Sequence, residues 1–212
     1  MSLKLVAHAT DEWGAPKTAQ LARAYANMGN LPAARRWLEK GVQLWPNHSG
    51  VRRVRQYVAG FYEKPSDALP IFNDLDEQAG SDEANVIWRT YVNAKAANSR
   101  QEADFAIRAI HEAAQGGKLP PEIAIMMTAG LGETQQAIED ANSALDHKQV
   151  LQAWFLFTPV TRALRADPGF VPLATRLGLI KYWRETGKLP DFCTDPQRRM
   201  ECSPKLRAAL KR

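Results

Sequence analysis

Residues able to do chemistry are thinly spread in this sequence. The segment HEAAQ, His111 to Gln115, falls one residue short of the helix that holds zinc in metalloproteases, where two imidazoles four positions apart share a face. Gln115 stands where the second imidazole belongs, and a carboxamide cannot replace it, so the segment reads as a polar helix face. The four histidines (His8, His48, His111 and His147) include no pair at helical ligand spacing. GLGETQ, from Gly130 to Gln135, sits between helices with no strand before it, and TGK, from Thr186 to Lys188, lacks the upstream glycine of a phosphate loop. No serine occupies a glycine-flanked elbow. Glu133, Glu139 and Asp140 lie on polar helix faces, where solvation is the default. Catalysis needs acids and bases converging in a pocket. The expectation is therefore a protein with no catalytic residues, no metal and no cofactor.

The two cysteines, Cys193 and Cys202, stand in a loop-rich tail, and the nearest histidine lies 46 residues upstream of the first. Two thiols without two further ligands cannot form a structural zinc site. Pairing them would close a ten-residue loop and place the domain in an oxidising compartment such as a periplasm; free thiols would suit a cytoplasmic protein. Both readings stay open here.

The charge is equally uneven. Residues 181 to 212 carry nine Lys/Arg against four acids, which accounts for the whole formal +5, and the first 180 residues balance at 19 of each sign. A basic tail can contact phosphate or anionic lipid, but SPKLRAALKR reads more simply as a short solvated amphipathic helix, so neither nucleic-acid binding by this chain alone nor membrane insertion is expected. No run approaches the ~20 apolar residues that cross a bilayer, and MSLKLVAHAT lacks the apolar core and cleavage site of a signal peptide. LKLVAHATDEW reads as helix-like.

What would position any functional side chain is a repeat. In GNLPAARRWLEKGVQLWPN, Gly29, Ala34, Leu38, Gly41 and Pro46 follow Leu21, Ala22 and Tyr25. The same small-then-apolar spacing recurs at Ala68, Phe72 and Leu75, at Ala103, Ile107 and Ile110, and at Ala137, Ala141 and Ala144, so the anchors are 34, 35 and 34 residues apart. Positions +4 and +7 stack on one face of a helix. Each such helix follows another, and Gly29 and Gly132 stand five residues before Ala34 and Ala137, where a left-handed helix end favours a residue without Cβ. Pro121 suits a first helical turn, and Pro46 stops the helix before it. The middle pairs are less regular: FYEKPSDA brings Phe61 two residues too near Ala68, and Tyr91 and Ala94 both fit a helix crossing.

The unit of helix, tight turn and helix at about 34 residues resembles the tetratricopeptide repeat, whose pattern Leu21, Ala22, Tyr25, Gly29, Ala34, Leu38 and Pro46 follow. That resemblance implies an all-α, right-handed solenoid of about four helix pairs over residues 1–148, with a capping segment and basic tail over 149–212. From about residue 155 to 193, Leu164, Arg165, Asp167, Pro168, Phe170, Leu173, Leu177, Gly178, Leu179, Tyr182, Trp183, Gly187, Pro190, Asp191, Phe192 and Cys193 resemble the closing segment of bacterial tetratricopeptide proteins that carry a winged-helix or nucleotide-cyclase domain. No winged helix and no cyclase motif is present in this sequence, so neither activity is implied. Phe170, Leu173, Leu177, Ile180, Tyr182, Trp183, Leu189 and Phe192 supply apolar surface for a cap.

Stacked helix pairs leave their first helices lining a groove. On the best phasing Arg23, Arg52, Arg55 and Arg89 point into it, with Asn27 and Tyr62 nearby. Guanidinium groups there would clamp a peptide carboxylate, and a solvated helix face would explain them equally well. The expected function is a non-catalytic module that binds a peptide or partner protein, as part of a bacterial regulator; the alternative is a small-ligand sensor domain of a transcriptional or cyclase regulator.

Overall fold

The computed structural model describes residues 11–79 and 83–211. These residues form thirteen α-helices and three short 3₁₀ segments, with no strand among them. The helices are α1 (Asp11–Asn27), α2 (Leu31–Leu44), α3 (Ser49–Tyr62), α4 (Pro65–Ala79), α5 (Glu83–Ala97), α6 (Arg100–Gln115), α7 (Pro121–Gly130), α8 (Thr134–Asp146), α9 (Arg162–Ala166), α10 (Phe170–Arg176), α11 (Leu179–Thr186), α12 (Asp191–Thr194) and α13 (Pro204–Lys211). The helix-like reading of LKLVAHATDEW lies, for residues 3–10, outside the described residues. No helix among the described residues is long and apolar enough to cross a membrane. The chain divides into two compact units, residues 1–113 and 114–212. The repeat spacing ends near residue 148, but contacts group α7 and α8 with the C-terminal segment, since α7 meets the 3₁₀ turns at 153–157 and 159–161 and α8 meets α9 and α10.

In the first unit α1 packs on α2 and α3, and α3 packs in turn on α4 and α5. The alanines explain how closely the rods approach: Ala15, Ala19, Ala22 and Ala26 recur at helical spacing along α1 and are all buried. Where α2 meets α1 and α3, a Cβ added to Gly41 would stand 3.3 Å from Thr18 Cγ2 and 3.5 Å from Val51 Cγ1. Farther along, an added Cβ at Gly60 would fall 2.5 Å from Trp88 Cζ3, so the missing side chain is what admits the indole of α5 against α3. Around it Tyr57, Phe61, Phe72, Trp88 and Tyr91 pack ring on ring, with Phe61 and Trp88 edge to face at 4.9 Å between centroids. The pairing is parallel in register: Gln56 donates to Asn85 at 3.1 Å and Lys95 to the Gly60 carbonyl at 3.1 Å, so α3 and α5 run side by side in the same direction.

The four spacing anchors, Ala34, Ala68, Ala103 and Ala137, are all buried. Gly29 and Gly132 take positive φ of 80° and 90° before their second helices, as the sequence leads one to expect. The irregular middle pairs differ in the turn. Three residues join α1 to α2 and α7 to α8, whereas two join α3 to α4 and α5 to α6. At α5–α6 the left-handed position is filled by Asn98, φ 48°, a residue that tolerates this conformation better than most. Helix α2 ends at Leu44 with Trp45 as its cap, just ahead of Pro46, whose ring disfavours helical backbone in the preceding residue.

In the second unit Phe170, Leu173, Ile180, Trp183 and Phe192 are buried, as a closing segment requires, but Tyr182 and Leu189 are 49% and 44% exposed and take no part. Tyr182 sits beside the buried Trp183, about 100° around α11, which turns its ring to solvent. Within SPKLRAALKR, Pro204–Lys211 form α13, held by buried Leu206 and by a hydrogen bond from Arg184 Nε to the Ala209 carbonyl at 2.7 Å.

Candidate functional site

Two helices of the first unit bring three of the six expected groove residues together. Asn27 is the last residue of α1, and its Oδ1 accepts hydrogen bonds from Tyr57 at 2.6 Å and Tyr62 at 2.9 Å, both on α3. A carboxamide oxygen has two lone pairs, and both are used. Its orientation is thereby fixed, which leaves the two Nδ2 protons facing the other way. Burial pushes the Tyr57 hydroxyl up to about 12, offset in part by hydrogen bonding with Tyr62, by the charge of Arg23 and by Asn27. Tyr57 therefore stays protonated, as a donor must. Arg23 lies one turn before Asn27 on the same face of α1, and its Nη2 donates to Gln20 Oε1 at 3.0 Å. Tyr57 was not singled out by the sequence, because its role depends on the register of α3 against α1.

Arg52 and Arg55 stand on α3 and Arg89 on α5. Arg55 turns to α4 and pairs with Asp74, so it leaves α3 toward a different neighbour from Tyr62. Arg52, one turn earlier than Arg55, shares that side of the helix and is half-buried, as is Arg89 on α5.

A second surface of α1 and α2 carries aromatic and cationic groups. Tyr25 from α1 and Ala33, Arg36, Trp37 and Lys40 from α2 line an open trough of about 410 Å³. Lys40 Nζ lies 5.6 Å from the centre of the Trp37 ring, a favourable cation–π placement. The i, i+4, i+7 spacing of Ala33, Trp37 and Lys40 was the signal in the sequence.

The second unit contains a buried ion pair. Arg165 is fully buried, and four of its N–H groups are accounted for: Nε and Nη2 donate to Glu201 Oε2 at 2.8 and 2.6 Å, and Nη1 donates to the carbonyls of Leu156 at 2.6 Å and Thr158 at 3.0 Å. The guanidinium also stands 5.2 Å from the centre of the Phe192 ring. Glu201 takes further contacts from Arg162 at 3.0 Å and Arg198 at 3.1 Å. Burial pushes its carboxyl up, but hydrogen bonds from Arg198 and Arg165 and the charge of both outweigh this, so the net displacement is below the usual carboxylate range. Burial lowers the affinity of Arg165 for its proton, and Glu201 opposes that. Next in the chain Cys202 is joined to Cys193 by a disulfide, Cα to Cα 4.9 Å. This constellation fastens the 3₁₀ turn at 196–201 to α9 and α12.

Among the described residues no group of three or more His, Cys, Asp or Glu is arranged to hold a metal ion. His111 is half-buried on α6, and Gln115 is the last residue of that helix. No family model matches this chain, and no curated protein or solved structure matches it either.

Proposed function

We propose that the protein is a non-catalytic peptide-binding module whose helix pairs stack as a tetratricopeptide-type solenoid, serving a bacterial regulator of the kind its C-terminal segment resembles. The observation that carries this reading is the locked carboxamide of Asn27 beside Arg23. Two tyrosine hydroxyls hold Oδ1 inward, so the surface offers N–H donors and a positive charge in a fixed orientation. That is what a carboxylate or the carbonyls of an extended peptide require, and fixing the donors in advance reduces the entropy lost on binding. The side-by-side packing of α1, α3 and α5 supports a peptide that crosses several first helices. The Cys193–Cys202 bridge supports placing the module in an oxidising compartment such as a periplasm.

The test is selection of ligands from a peptide array with free and amidated C-termini, followed by titration of the selected peptides onto the full chain. Arg23→Ala and Asn27→Ala are each expected to weaken binding by about tenfold or more, the worth of one hydrogen bond to a charged group. Arg55→Ala, whose charge is already spent on Asp74, is expected to change affinity less than twofold. Unchanged affinity in both Arg23→Ala and Asn27→Ala would sink the proposal.

A further inference from the structure

Helix α1 is two-sided. At about 100° per residue, Arg23 and Tyr25 point in nearly opposite directions, so the trough at Tyr25 is a different surface from the one at Asn27. Helix α3 already covers one flank of the α1–α2 pair: Val51 reaches Gly41 of α2, and Arg35 of α2 is paired with Glu63 beyond the end of α3, Nη2 to Oε2 2.6 Å. The stripe of Ala33, Trp37, Lys40 and Leu44 runs along the opposite flank of α2. Apart from α1, whose Tyr25 lines the trough with it, and α3 on the other flank, no helix among the described residues packs extensively on α2, and Leu44 at the end of the stripe is 52% exposed. This flank thus has the apolar, small-residue relief that seats a helix on the other side.

Its charges say what kind of helix fits. Arg36 is exposed and Lys40 half-exposed, and neither meets a carboxylate among the described residues. The neighbouring Arg35, by contrast, holds Glu63 through two hydrogen bonds of 2.8 and 2.6 Å. The trough is also open along its length: of its five lining residues only Ala33 is buried, whereas a small molecule demands enclosure of most of its surface. We infer that this flank of α1 and α2 is a docking site for an acidic amphipathic helix of a partner protein. One apolar side chain of that helix lies between Tyr25 and Trp37, and flanking carboxylates meet Arg36 and Lys40. From Ala33 to Leu44 the stripe is about 16 Å long at 1.5 Å per residue, so the occupant needs roughly three turns.

The probe is a fluorescein-labelled synthetic helix with Leu at i, i+4 and i+7 and Glu on both flanks, titrated onto the full chain. Its Lys-for-Glu counterpart and ATP serve as competitors. The expected result is saturable binding of the Glu helix that weakens with added salt, that neither competitor displaces, and that falls at least about tenfold in the Arg36→Glu/Lys40→Glu variant. Both positions are solvent-accessible, so that variant keeps its fold, which circular dichroism verifies. Arg23→Ala and Asn27→Ala are expected to leave this binding intact, so it stands or falls separately from the proposed peptide groove. Equal binding of both synthetic helices, or no loss in Arg36→Glu/Lys40→Glu, would overturn the inference. So would displacement by ATP, or self-association of the chain that the double substitution abolishes; these would reassign the trough to a nucleotide or to a second copy.

Discussion

Replacing Glu201 by Gln removes one charge and almost no volume, so its effect isolates the electrostatics of the closing segment. Arg165 would then be a fully buried cation without an anion, and Arg162 and Arg198, which now share the same carboxylate, would repel it. Breaking a buried pair from one side costs about 3–5 kcal/mol. The solvent-facing members add little, because Arg162 is 65% exposed at the side chain and its interaction is screened. We expect Glu201→Gln to destabilise the second unit by ~3–4 kcal/mol in urea unfolding. Arg165→Met leaves the carbonyls of Leu156 and Thr158 without their donors, at roughly 1–3 kcal/mol, but Glu201 keeps two arginines at the surface. The double variant should therefore be clearly less destabilised than the two single losses together. The pH dependence follows in sign. The carboxyl is depressed in the folded state, so its contribution is complete above the ordinary glutamate value near 4.3 and is lost as pH falls through the lower folded value. Wild type should lose stability in that acid window, and Glu201→Gln should show a flatter limb there. A loss below about 1 kcal/mol, or an unchanged acid limb, would refute the reasoning that the pair holds this segment.

Two further outcomes test the packing. The hydroxyl of Tyr91 is buried without a hydrogen-bond partner among the described residues, and burial pushes its ionisation well above the ordinary tyrosine value. Tyr91→Phe is therefore expected to leave the first unit equally stable or more stable by up to ~1 kcal/mol, measured by thermal unfolding, since an unsatisfied buried hydroxyl is removed while the ring packing stays. The Cys193–Cys202 bridge spans a sequence separation of 9, a ten-residue loop counting both cysteines, for which chain entropy gives roughly 2.7 kcal/mol. Reduction should lower the midpoint of the second unit and leave the first unit's unchanged, read by calorimetry with and without dithiothreitol.

The helices were legible because their signals are local. An alanine followed by apolar residues at +4 and +7 can satisfy its spacing only as one helical face, and Ala34, Ala68, Ala103 and Ala137 are buried accordingly. Turn length was less so. Asn98 takes the left-handed position that glycine marks at Gly29 and Gly132, and an asparagine in a polar stretch carries no such flag. The Arg165–Glu201 pair could not be read at all. Its members are 36 residues apart, and a buried arginine has the same letters around it as a solvated one. Only the packing of Leu156, Thr158 and Phe192 around it removes it from water.

Side-chain direction on α1 separates what sequence reasoning could reach at the site from what it could not. Periodicity alone places Arg23 and Asn27 on one face and Leu21 and Tyr25 on the other, because residues four apart align and residues two apart oppose. What each face meets depends on neighbours that the period does not specify. The Arg23 face meets Tyr57 and Tyr62, which turn Asn27 from a generic polar residue into an oriented donor. Arg55, by the same period a candidate for the groove, meets Asp74 and is neutralised. An arginine's usefulness for binding is thus set by whether an acid on the adjoining helix reaches it first. That criterion discounts Arg35 and Arg55 and picks out Arg36 and Lys40.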